Sequence, residues 1–494
     1  MKKIVVVLLT MAINTMHGQV SWNSVEHVYQ DLILAIGDAS KIAPPIKSSR
    51  TESRVAYYSP SRQTIFIEEK FLEACAAFGS DSLNALSFIL GHELAHFYRN
   101  HGWVSTNGMG YIEAEMKDDW KAMRKDLTLH AKDETEADIF SGFYSMVAGY
   151  NAMAVAGKTL KSIYQAYGIK DSIPGYPTLE QRVAIANNAM ENANDLYILF
   201  NVGIYSLALQ EYDVASRLFT HIYRQDYSGT EILNNLAVSE ILQGYKILGE
   251  DPSYSYPVFI STESALDPNS RGNEGEEHIK QGIFYLKEAL KKSEDNVSVL
   301  VNLASAYAML NEFIDAEYYL AKVEAINPNS SAIACLEGII AMKKGDTKTA
   351  KKTWKKNAEE SKYIAFNYAS YFGKSKILYS AVNKSPDELV IDNVDLGDPR
   401  LKSKFHFADI KIPGMRISYS DLESSRLIEL YAGAGTSFRF QIFESDAAKE
   451  HSQYNWKAIL NSNESVISES ESFNILKIET KGKQQPAYVK YSVN

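Results

Sequence analysis

The residues best equipped for chemistry are His92, Glu93 and His96, in the run Gly91-His92-Glu93-Leu94-Ala95-His96-Phe97. On a helix, positions i and i+4 share a face, so His92 and His96 can aim two imidazole nitrogens at one Zn²⁺. Glu93, one position round, can reach a water on that ion, which is the chemistry of a hydrolase. The acids Glu134 and Asp138 are also four apart. One of them could complete the protein ligands while the other accepts a hydrogen bond from the outer ring N–H of a ligating histidine. Glu136 competes as a ligand, but points elsewhere if Ala137 and Phe140 face the core.

Both groups need rigid helices under them. Leu83, Leu86, Ile89 and Leu90 precede the histidines at helical spacing, and Ile139, Phe140, Tyr144 and Met146 follow the acids. This patterning predicts two helices held by a core. Upstream, Val25, Val28, Tyr29, Leu32 and Ile33 predict a helix over 21–37, with Gly37 as its stop and Ala43-Pro44-Pro45 preventing continuation. Val55–Tyr58 and Thr64–Ile67 read as two short strands around Ser59-Pro60-Ser61. They are either an ordinary hairpin or an edge along which an extended peptide can lie.

The pairing of His92-Glu93-Leu94-Ala95-His96 with Glu134-Thr135-Glu136-Ala137-Asp138 resembles the HExxH…ExxAD pattern of the gluzincin metallopeptidases. That family includes the CAAX prenyl proteases, HtpX and the soluble periplasmic BepA-type peptidases. The lead-in Ser82–Leu90 and the following Arg99-Asn100-His101 are similar to the family's flanking segments, and the likeness covers roughly residues 50–190. The resemblance implies that His92, His96 and Glu134 bind one zinc ion, that Glu93 is the general base, and that Asp138 supports a ligand from behind. The segment Gly175-Tyr176-Pro177-Thr178-Leu179-Glu180-Gln181-Arg182 resembles one in which the family has His-Pro before its Glu and Arg. Tyr176 stands in place of that histidine, as either a packed turn aromatic or a hydroxyl able to donate to a developing oxyanion. Arg182 could steady the site or a substrate carboxylate.

The whole chain sets the frame. Its 494 residues, 45% apolar and 23% charged, suffice for several cores and do not describe disorder. Met1-Lys2-Lys3, an apolar run from Ile4 to about Ala12 and small or polar residues at His17-Gly18-Gln19 have the layout of a secretory signal over 1–18. The expected mature chain starts at Gln19 and is periplasmic or extracellular, with no transmembrane segment after signal removal. Losing Lys2 and Lys3 takes the net charge from −10 to −12, and no basic run with interleaved aromatics invites nucleic acid. Cys75 and Cys335, the only cysteines, are expected as buried thiols in different domains.

After the metal domain, expected over 19–192, small residues recur at a fixed period. Gly203 and Ala237 are 34 apart, as are Ala304 and Gly338, and so are Gly282, Ala316 and Ala350. Phe219, Leu286, Leu320 and Trp354 each lie four beyond the second small position of a unit. This is the arithmetic of a helix-turn-helix repeat over 193–375. It resembles tetratricopeptide repeats, which implies a face that binds peptides or partner proteins. One unit is interrupted by an insertion at about 244–275, expected as a long exposed loop. From about 385 to 494 short strands are expected at 388–391, 411–412, 416–419, 437–442 and 487–491, forming a small β-rich domain, with 462–472 a surface loop. His406 and His451 have no partner at metal spacing.

The expected fold class is therefore mainly α: a zincin-like α+β metallopeptidase domain, a tetratricopeptide-like array and a β-rich end. The expected function is that of an exported zinc endopeptidase acting on proteins or unfolded segments, by family analogy in envelope quality control. The alternative is a repeat-based adaptor or chaperone whose zinc domain is closed or inactive.

Overall fold

In the computed structural model the chain is mainly helical and carries a small antiparallel sheet near its C-terminus. The structure describes residues 20–51, 55–59, 62–99, 127–169, 178–208, 210–249, 254–258, 274–359 and 361–373, and the strands between 408 and 493. The expected signal at 1–18, Tyr176, Asn100-His101, His406, His451 and the expected strand at 388–391 lie outside the described residues. Among the described residues no helix is long and apolar enough to cross a membrane. The chain divides into two compact units, 1–32 with 43–194, and 33–42 with 195–494.

The first unit opens with helix α1 (Trp22–Ile36), whose Val25, Val28, Tyr29 and Leu32 are buried on one stripe. Gly37 follows at φ +60, a left-handed conformation that favours glycine and ends the helix. Three short strands come next: β1 (Ile46–Ser49), β2 (Ala56–Ser59) and β3 (Thr64–Glu68), in sheet order β1-β3-β2. The hairpin pairs Tyr58 with Ile65, and β1 adds in parallel with Ile46 beside Ile65. No expectation attached to β1, because a solvated edge strand such as Ile-Lys-Ser-Ser has no alternation to read. Helix α2 (Glu69–Ala76) leads into α3 (Ser82–Tyr98), buried without a break from Ala85 to His96. Helices α4 (Leu127–Val147), α5 (Ala156–Tyr167) and the first half of α6 (Leu179–Ala208), as far as Asn194, complete the unit.

One close approach fixes α3 against α4. A Cβ on Gly91 would lie 2.6 Å from Ser141 Oγ and 3.1 Å from Ser141 Cα. Ser141 in turn donates its hydroxyl hydrogen to the Phe88 carbonyl, 2.6 Å away. The missing side chain lets the two helices meet one residue from His92.

In the second unit helices follow in pairs: α7 (Tyr212–Tyr223) after the end of α6, then α8 (Thr230–Leu248) with α9 (Glu274–Lys292), α10 (Val297–Met309) with α11 (Phe313–Ile326), and α12 (Ser331–Lys343) with α13 (Thr347–Asn357). Helix α14 (Lys362–Phe372) ends the series. The small residues singled out by their period sit where helices touch. A Cβ on Gly203 would meet the Phe219 ring at 2.7 Å, one on Gly282 the Ala237 carbonyl at 2.8 Å, and one on Gly338 the Trp354 indole. Cys75 and Cys335 are buried and not bonded to each other, one in each unit.

Two expectations need correction. The insertion is not exposed throughout: Tyr256, Pro257 and Val258 are buried and Tyr254 and Ser255 half-buried, because the segment lies against α8, α10 and α14. The expected loop at 462–472 contains a strand. The sheet runs β4-β5-β6-β7-β10-β9-β8, with β4 (Ala408–Ile412), β5 (Met415–Asp421), β6 (Ser425–Gly433), β7 (Thr436–Phe443), β8 (Val466–Glu469), β9 (Asn474–Ile478) and β10 (Ala487–Val493). Strand β8 is at an edge among Ser and Glu residues, a polar setting that edge strands favour and that hides them in sequence. Strand β6 lies between two others and buries Leu427, Ile428 and Leu430 together, so its alternation is lost too.

Candidate metal centre

Helix α3 presents His92 and His96 on one face, and α4 faces it with Glu134. All three side chains are buried. The two Nε2 atoms are 3.0 Å apart, Glu134 Oε2 is 3.4 Å from His92 Nε2, and Glu134 Oε1 is 3.6 Å from His96 Nε2. Each residue offers one donor atom to a common point, so the group could hold a metal ion. Glu134 Oε2 makes no hydrogen bond among the described residues although it is fully enclosed. Two ring nitrogens and a buried carboxylate oxygen converging in this way have the chemistry of a cation site rather than of a packed core.

Asp138, one turn beyond Glu134, stands behind the histidines. Its Oδ1 is 2.9 Å from His92 Nδ1 and accepts that hydrogen, which leaves Nε2 directed at the metal position. Arg182 of α6 is buried and grips Asp138 with both terminal nitrogens, Nη1 on Oδ2 and Nη2 on Oδ1 at 3.0 Å. Nη2 also lies 3.7 Å from Glu134 Oε2. Arg182 therefore steadies the centre. Its guanidinium is spent on the two acids rather than presented to a substrate carboxylate.

Glu93 is buried beside this group, and its Oε2 accepts a hydrogen bond from the Tyr58 backbone N–H of β2 at 3.1 Å. Burial, helped by the nearby Glu134 charge, pushes its carboxyl up to about 7, against the pull of His92 and the Tyr58 N–H. A carboxyl group balanced there can accept or return a proton near neutrality. Burial opposes ionisation of Glu134 as well, yet His92, His96 and Arg182 together hold its carboxyl down at about 2. For Asp138 the same opposition from burial is overcome by Arg182 and His92, again to about 2. Desolvation works against a charged His92, but Asp138 and Glu134 outweigh it and raise the imidazole to about 10. The acids thus demand a positive charge at Nε2, from a proton or from a metal ion.

Glu136 turns away from the centre, with its Oε1 3.4 Å from Arg99 Nε, while Ala137 and Phe140 are buried. The structure brings His92, Glu93, His96, Glu134, Asp138 and Arg182 together; Tyr176 is not among the described residues. Sequence reasoning missed two contributors. Tyr58 acts through its main chain, for which side-chain type carries no signal, and Ser141 matters by being small opposite Gly91. Compared with models of known protein families and with curated proteins, the chain gives no match.

Proposed function

We propose that this protein is an exported zinc-dependent endopeptidase of the gluzincin type, with a zincin-like catalytic domain and a tetratricopeptide-like array that engages protein substrates. The observation that carries the reading is the convergence of His92, His96 and Glu134 with Glu93 alongside and Asp138 and Arg182 behind. Four-coordinate zinc with ligands near 2.05 Å needs donors about 3.3 Å apart; the two Nε2 atoms are 3.0 Å apart, and each has a Glu134 oxygen close to that distance, Oε2 at 3.4 Å from His92 and Oε1 at 3.6 Å from His96. Two imidazoles and one carboxylate are also a donor set of catalytic rather than structural zinc.

When bound, the ion supplies a Lewis acid that activates water and polarises the scissile carbonyl. Glu93 takes the proton of the attacking water and returns it to the leaving amine, a cycle suited to a carboxyl group near neutrality. Asp138 fixes the His92 ring, and Arg182 fixes Asp138. Strand β2 is an edge of its sheet and turns the Tyr58 N–H toward Glu93, so an extended peptide laid along that edge would bring its carbonyls to the centre.

The test is a digest of unfolded casein by purified, metal-assayed protein. Wild type should bind one Zn²⁺ per chain and cleave; Glu93→Gln should keep the metal and lose cleavage by at least ~100-fold, the scale of general base catalysis. Intact casein and intact members of a broad peptide library, with zinc bound, would replace this reading with that of a repeat-based adaptor.

A further inference from the structure

The insertion that interrupts the repeats places Tyr254–Val258 along one face of four helices. The partners come from α8 (Tyr245), α10 (Ser305), α12 (Cys335 and Lys343) and α14 (Asn367 and Tyr371). Asn367, fully buried, reads the segment's main chain at two points: its Oδ1 accepts from the Ser255 N–H at 2.8 Å and its Nδ2 donates to the Ser255 carbonyl at 3.0 Å. Tyr245 does the same at Tyr254, its hydroxyl accepting from the N–H at 2.9 Å and lying 3.1 Å from the carbonyl. Ser305 donates to the Pro257 carbonyl at 3.2 Å. Two aromatic contacts complete the fit: Tyr254 stacks on Tyr371 with centroids 4.9 Å apart, and Tyr256 meets Tyr245 edge-on at 5.1 Å. Lys343 lies over both rings, 5.7 and 5.9 Å from their centroids.

This is how a receptor holds an extended peptide, by main-chain hydrogen bonds along the segment, here at Tyr254, Ser255 and Pro257, and by contacts to its rings, here Tyr254 and Tyr256. The segment is not needed to connect α8 to α9. Gly244 and the Gly275 carbonyl are so near that a Cβ on Gly244 would collide with it, so a short turn could join α8 to α9 as the other pairs are joined. We propose that this face is a binding site for an extended Tyr-Ser-Tyr-Pro-type segment of another protein, and that Tyr254–Val258 occupies it in cis. No metal ligand takes part, so the proposal stands or falls apart from the peptidase reading. A tethered occupant acts at an effective concentration that can reach millimolar, and an outside segment must compete with it.

The probe is a fluorescent peptide with the sequence of residues 252–260, followed by anisotropy against the full chain and against a variant in which 250–273 are replaced by Gly-Ser-Gly-Ser. The linker variant should bind at least tenfold tighter than wild type, and Asn367→Ala within it should remove at least tenfold of that affinity. A folded linker variant that ignores the peptide, or binds it equally with Asn367→Ala, overturns the proposal. Hydrogen exchange on the unaltered chain decides independently of that variant's folding. The Ser255 amide should exchange by local opening, well ahead of α10 and α12, and faster with excess unlabelled peptide. Exchange of Ser255 only together with those helices would show a structural strut and sink the idea.

Discussion

Asp138 decides which nitrogen of His92 faces the metal position, and Arg182 decides where Asp138 stands. Replacing Asp138 with Asn removes the charge from both contacts and leaves a buried guanidinium without its main counter-charge. Breaking a buried pair from one side typically costs about 3–5 kcal/mol, and losing the group that orients a metal-bound histidine costs roughly 10- to 100-fold in metal affinity. Asp138→Asn should therefore lower both the thermal midpoint and the zinc affinity measured against a competing chelator. Unchanged affinity would separate Asp138 from the centre. Arg182→Lys is expected to fall on the same side, since an ammonium cannot make the paired contacts of the guanidinium to Oδ1 and Oδ2. At this scale much was legible, because helical spacing alone places His92 with His96 and Glu134 with Asp138. What spacing left open was which acid points at the metal, a choice made by the distance between two helices.

That distance belongs to the elements. The seam between α3 and α4 closes at Gly91 and Ser141, so a methyl group at residue 91 acts on the metal site without touching a ligand. Gly91→Ala should cost about 1–3 kcal/mol by overpacking and should weaken zinc binding, because Glu134 is carried away from the histidines. Adding Ser141→Gly should restore part of both losses. Strictly additive effects in the double variant would mean that the seam is not where the two residues couple. In the second unit, Trp354 fills the space over Gly338 and donates its indole N–H to the Cys335 carbonyl at 3.1 Å. Trp354→Ala should cost about 3–5 kcal/mol in a urea titration. These contacts lie on residues that the 34-residue period had already marked, because a position that must stay small repeats with the unit. The strands were harder to read. A doubly covered strand such as β6 and a polar edge such as β8 both lack the alternation that betrays a half-buried one.

For the molecule as a whole, the insertion shows why a sequence pattern can locate a segment yet misjudge its setting. Residues 244–275 stand out as extra to the period, but the burial of the segment depends on partners such as Tyr245, Ser305 and Asn367, the last more than a hundred positions away. Long-range placement of that kind also separates the two units in their response to metal and pH. In zinc-free protein the buried acids hold a proton on His92, whose folded-state pKa is raised to about 10 from the ordinary 6.5. The stability this gives is complete below about pH 6.5 and is lost as pH rises through 10. Glu134 and Asp138, lowered to about 2, contribute stability above the ordinary carboxylate range and lose it as pH falls toward 2. A zinc ion held by His92, His96 and Glu134 would supply that positive charge in place of the proton, so the loaded protein should show no decline between pH 7 and 10. Hydrogen exchange, corrected for its intrinsic pH dependence, should find α3 and α4 deprotected in chelator-treated protein at pH 10 and restored by zinc. Helices α10 to α13 carry none of these groups and should keep their protection throughout. Equal loss across both sets of helices would mean that the metal centre supports the whole chain rather than its own unit.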